Sequence, residues 1–131
     1  MRPIFDALRK IKLAGADRPK PQVGDPDPAY PGQTVRAGRD GAPLVQLDRI
    51  VPLADILKLP GFLKLEPDDM YSVVIAPVNL QWLSRRAHAA KAATGVGLMT
   101  RVDPDWQQAQ VVLEVRTRVE LACVIDRLLT R

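Results

Sequence analysis

The chemistry available to this chain is narrow. His88 is the only imidazole and Cys123 the only thiol in 131 residues. One histidine excludes any mechanism built on two imidazoles, and one cysteine excludes an internal disulfide and a cysteine-rich zinc site. His88 lies between Arg85 and Lys91 on one arc of an expected helix. Nearby cations disfavour its protonation, and no acid stands within helical reach to orient it as a base. It reads as a surface histidine. Cys123 has apolar neighbours, Leu121, Ala122, Val124 and Ile125, and none of the cations that make a thiolate reactive. It reads as a small buried hydrophobe.

The remaining motifs carry no stronger signal. Glu66, Asp68 and Asp69 lack the alternating ligands of a calcium loop and read as an exposed turn. Asp103 and Asp105 flank Pro104 as cap and turn residues. Thr94-Gly95-Val96-Gly97 matches neither the dinucleotide nor the phosphate-loop pattern. Ser72 and Ser84 are the only serines, and neither stands in a nucleophile elbow. No enzyme activity, cofactor or metal is expected.

Charge is unevenly placed. Residues 1–20 hold six basic residues and two acids, and residues 21–131 hold thirteen of each. The net charge of +4 therefore belongs to one end of the chain. That end lacks the apolar stretch of a secretory signal and the serines of a mitochondrial one. No apolar run approaches the length of a membrane span. A cytoplasmic protein is expected, and the Ala, Arg, Pro and Val bias points to a GC-rich bacterium or its phage.

Residues 3–13 suit a short helix, with Pro3 at its first turn and Ile4, Phe5, Leu8 and Ile11 on one face. Ala14-Gly15 gives a stop. Residues 18–32 carry five prolines and suit an extended spacer. The expected organisation is a basic amphipathic arm over 1–17, a proline-rich linker over 18–32 and an α+β domain over 33–131. The domain is expected to fold without the arm.

Within it, Thr34–Arg36 and Leu44–Leu47 flank the turn sequence Gly38-Arg39-Asp40-Gly41 and suggest a β-hairpin. A short helix over Leu53–Leu59 follows. Tyr71–Ala76 reads as a buried strand, Leu80–Ala93 as a helix capped by Asn79, and Val96–Val102 as a strand. Residues 109–119 alternate apolar and polar and suggest a strand, before a last helix over Glu120–Thr130. A single helix from Asp103-Pro104 to Arg131 is the rival. The strand is preferred because the apolar residues of 109–129 fall on two separate stripes of a helical wheel. The order, a β-hairpin followed by β-α-β-β-α, resembles the split β-α-β arrangement of ferredoxin-like folds, a likeness of architecture that carries no function.

The functional expectation is a non-catalytic structural or adaptor subunit of a larger bacterial or phage assembly. It would dock a protein partner or another copy through its arm, with Ile4, Phe5, Leu8 and Ile11 as anchors in a groove. The alternative is an accessory nucleic-acid-binding protein. It would use Arg9, Lys10 and Lys12 of the arm and a basic stripe of Arg85, His88, Lys91, Arg116 and Arg118. A membrane surface is a poor fit for one short helix and four cations.

Overall fold

The structure, a computed structural model, describes residues 2–13 and 15–131. It holds five α-helices and one two-stranded antiparallel sheet among these residues. They are α1 (Arg2–Arg9), β1 (Val45–Arg49), α2 (Leu53–Ile56), α3 (Pro67–Val74), β2 (Leu80–Ser84), α4 (Arg85–Thr94) and α5 (Pro104–Thr130). Short 3-10 turns fill Phe62–Lys64, Pro77–Asn79 and Val96–Leu98. The class is α+β.

Most of the expected strands are not strands. Tyr71–Ala76 falls largely within α3, because Pro67 pre-sets the first turn and Asp68 and Asp69 oppose the positive end of the helix dipole. That start signal outweighs the β-preference of Val73, Val74 and Ile75. Residues 80–84, expected as helix, form β2, and α4 begins only where the Ser84 hydroxyl accepts from the Ala87 N–H at 3.1 Å. Val96–Val102 is a 3-10 turn followed by irregular chain, with Val96 and Met99 buried. The split β-α-β arrangement is therefore not formed by these segments.

The rival single helix is the observed one. Asp103 caps α5 by accepting from the Trp106 N–H at 2.8 Å, and Pro104 takes the first turn. The alternation of 109–119 is incidental to the helix.

The early turn forms as expected: the Gly38 N–H donates to Ala42 O at 2.8 Å, and Ala37 bridges Pro43. The Leu44 N–H still donates to Arg36 O at 2.8 Å, but Thr34 bridges Pro26, and from Val45 onward the chain pairs elsewhere. β1 takes β2 as its partner, with Leu47 opposite Trp82 and Arg49 opposite Leu80. The fully buried Asn79 side chain extends this ladder. Its Oδ1 accepts from the Val51 N–H at 2.7 Å and its Nδ2 donates to Val51 O at 3.1 Å.

Two apolar clusters lie along α5. One gathers Val51, Ile56, Phe62, Val73 and Val74 against Leu121 and Ile125 of the helix's second half. Gly61, at φ +82, approaches the same stretch so closely that a Cβ there would lie 2.5 Å from Leu129 Cδ1. The other cluster gathers Ala29, Tyr30, Leu83, Ala87 and Met99, with Trp106 and Val111 of the first half packed on it.

The expected arm and spacer are part of this packing. Leu8 is buried in the first cluster, and Phe5 and Ile11 pack against it half-buried. Residues 24–35 double back on themselves, with Gly24 N–H to Val35 O at 2.9 Å and Asp27 N–H to Gln33 O at 3.0 Å. Ala29 and Tyr30 are buried. The prolines thus shape a strap laid on the body rather than a free spacer, because the residues between them carry apolar side chains and backbone donors that find partners there. The stop at Ala14-Gly15 involves Ala14, which lies outside the described residues. No described helix is long and apolar enough to cross a membrane.

Candidate functional site

Three features stand out: a buried ionic network, a groove under the strap, and the outer face of α5.

The network centres on Asp48, which β1 points at α4. Its Oδ2 accepts from Lys91 Nζ at 2.6 Å and Gln81 Nε2 at 2.9 Å, and its Oδ1 lies 3.3 Å from His88 Nδ1. Lys91 Nζ also donates to Arg49 O at 2.9 Å and Ile50 O at 3.2 Å, so all three ammonium protons have acceptors. Gln81 and Gln110 exchange amide hydrogen bonds of 2.8 and 3.0 Å. Burial pushes the Asp48 carboxyl up. The His88 hydrogen bond, the Lys91 charge and hydrogen bond and the Gln81 amide outweigh that and hold it below its ordinary value.

The orienting acid absent from the neighbourhood of His88 in sequence is thus supplied by β1. An Asp–His pair is two of the three members of a nucleophilic triad. The adjoining cavity of about 310 Å³ is lined by Leu47, Pro52, Leu53 and Ala92 beside the charged groups, and its described lining residues include no hydroxyl or thiol. Two nitrogens of Arg49, Nε and Nη2, are buried without a partner among the described residues. Burial draws this guanidinium below its ordinary pKa, against the opposing pull of Asp48. The geometry suits a clamp joining the sheet to α4.

The clamp gives stability a stated pH dependence. A carboxylate whose folded pKa is depressed contributes fully above its unfolded value of about 3.9, and the contribution is lost as pH falls through the lower folded value. Urea midpoints should therefore fall as the pH drops below about 4, through the depressed folded value. Asp48→Asn should lower stability at neutral pH and flatten that slope, and an unchanged slope would show that other carboxylates set it.

The groove, about 640 Å³, lies between the strap, β2 and α5, with Trp82 and Trp106 in its walls. Lys20 sits 5.2 Å above the Trp82 ring, and Arg18 Nη1 donates to Leu80 O at 3.0 Å. These contacts hold the strap to the sheet.

The outer face of α5 is different in kind. Val112, Val115 and Val119 are 39%, 55% and 59% exposed and lie along one stripe of the helix. Cys123 continues the stripe and is exposed, not buried as its sequence neighbours suggest, because Leu121 and Ile125 take the inward positions. Valine is a weak helix former, so an exposed valine on a helix gains neither burial nor propensity.

The basic stripe expected for nucleic acid is divided. Lys91 is buried in its ion pair, and His88 leans on Asp48. Arg118 lies 3.0 Å from Glu114 and 3.4 Å from Asp55. Arg85 and Arg116 are exposed, as are Arg9, Lys10 and Lys12. Of the four arm anchors, Ile4 alone is exposed. The described residues contain no group of three or more potential ligands placed to hold a metal ion. No protein-family model matches the chain, and no curated protein or solved structure is significantly similar to it.

Proposed function

We propose that the chain is a non-catalytic assembly subunit that docks a protein through the outer face of α5. The observation that carries this reading is the valine stripe. Val112, Val115 and Val119 form a continuous apolar surface on a 27-residue helix whose opposite face already serves the chain's own core. Contiguous exposed apolar surface on a folded domain marks interaction sites. The arm is the weaker docking candidate, since its Leu8 face is occupied within the chain.

The test compares the full chain with Val115→Asp/Val119→Asp, both tagged and passed through lysate of the source cells. Both positions are exposed, so the circular dichroism spectrum should hold. Retention of a specific protein partner should fall at least tenfold. Equal retention by both chains, or a partner lost only with Phe5→Ala, would move the docking surface off α5.

A second reading keeps nucleic acid as the partner, favoured by the exposed cations Arg9, Lys10 and Lys12 at one end. Its binding would be electrostatic and would vanish at moderate salt.

A further inference from the structure

Resting on the α5 docking reading, we propose that the occupant of the stripe is a second copy of this chain, its α5 antiparallel to the first about a two-fold axis level with Thr117. An isologous interface must be self-complementary: each group at one level must find its match at the mirrored level of the same face. The outer face of α5 meets this condition at several independent positions.

At about 100° per residue, Val112, Val119 and Cys123 form the middle of the outer face. Arg116, Glu120 and Arg127 fall on one flank, with Asp105 at its inner border in line with Cys123, and Gln108, Val115 and Asp126 on the other, all of them exposed. In an antiparallel two-fold pair each flank meets the same flank of its partner, reversed. Val115 and Val119 stand two residues either side of Thr117 and meet. Gln108 and Asp126 stand nine either side, so an amide meets a carboxylate. Asp105, twelve before, comes level with Arg127, ten after. Arg116, one before, comes level with Glu120, three after, so the two arginines, themselves two residues apart at the centre of this flank, are bracketed by the two glutamates. At 1.5 Å per residue, the two-residue offsets of the last two pairs are about 3 Å, within side-chain reach.

Apolar contacts and opposite charges thus select the same axis. The antiparallel arrangement also opposes the two helix dipoles. A parallel pair would still set Val112 and Val119 against their own copies, but it would set each flank against the other and keep only the Arg127–Asp126 match among the charged groups.

The axis makes a specific prediction for the thiol. Cys123 of the two copies would stand about 18 Å apart along the helices at 1.5 Å per residue, beyond the Cα separation of roughly 4.4–6.8 Å that a disulfide needs. Position 112, in contrast, comes within one residue, about 1.5 Å, of the level of Cys123 of the second copy.

The full chain and its Val112→Cys variant are each oxidised at about 50 μM and resolved without reductant, with sedimentation equilibrium run in parallel on reduced samples. The variant should form a covalent dimer whose cross-linked peptides join position 112 to Cys123 of the other copy, and the unaltered chain should not cross-link. Sedimentation should show a reversible dimer, weakened at least tenfold in Val115→Asp. Cross-linking through Cys123 in the unaltered chain would overturn the register. A monomer at all concentrations up to about 100 μM, with no 112–123 linkage, would overturn the dimer. If the stripe variants still lose another protein from lysate in that case, the docking reading survives with a different partner. If they do not, both fall.

Discussion

Replacing Lys91 by methionine is expected to lower the unfolding free energy by about 3–5 kcal/mol, the range for breaking a buried ion pair by removing one partner. The Lys91 side chain is 5% exposed and its three ammonium protons are all committed. Methionine fills the space of the stem but leaves the Asp48 carboxylate and the carbonyls of Arg49 and Ile50 short of a donor. Those groups stay buried, and an orphaned buried acceptor costs more than a hydrogen bond gains. The double variant Asp48→Asn/Lys91→Met should recover part of the loss, because it removes the stranded charge. Arg131→Ala, which breaks an exposed pair with Asp69, should cost no more than about 1 kcal/mol. Urea denaturation of the four chains decides the matter. A loss for Lys91→Met no larger than that for Arg131→Ala would show that water reaches the Asp48 cluster.

This cluster also shows where sequence reading reaches its limit. Asp48 and Lys91 are 43 residues apart, and Asp48 and His88 are 40 apart. Helical spacing around His88 tests only neighbours on α4, and the acid arrives from β1, through a strand pairing that no local pattern specifies. The pairing is hidden in the sequence because Leu80–Ser84 also fits the start of a helix. The helix signal was real, but it belonged to Ser84 rather than to Asn79. Local start signals proved stronger than period. Pro67-Asp68-Asp69 opened a helix through a β-rich run, and Asp103-Pro104 opened one through an alternating run.

The two apolar stripes of 109–129 pose the same question for α5. They counted against a helix because one domain core needs only one stripe. The helix forms regardless. Leu121, Val124, Ile125 and Leu128 face the core, and Val112, Val115 and Val119 face outward. The second stripe was legible in the sequence. That stripe serves no part of the chain's own core, and in the proposed reading it is the docking surface.

Replacing Leu8 by alanine is expected to cost about 2–5 kcal/mol, as for other buried leucines. Leu8 is 8% exposed within the cluster that also holds Ile56, Val74 and Leu121. An arm standing off the body would predict no cost at all. Graded burial along α1 sets the order of effects: Leu8→Ala largest, Phe5→Ala and Ile11→Ala smaller because both are half-buried, and Ile4→Ala near zero because it faces solvent. The same burial changes the expectation for a chain beginning at Gln33. It would lose Leu8 from one cluster and both Ala29 and Tyr30 from the other, along with the Asp103 N–H bond to Ala29 O at 2.9 Å that ties the strap to the start of α5. Such a piece should melt without cooperativity, whereas Ile4→Ala should melt like the full chain. Four point variants and one truncation, followed by thermal and urea unfolding, test the order. Equal stability for Leu8→Ala and the full chain would free the arm from the core and return Ile4, Phe5, Leu8 and Ile11 to the search for a partner.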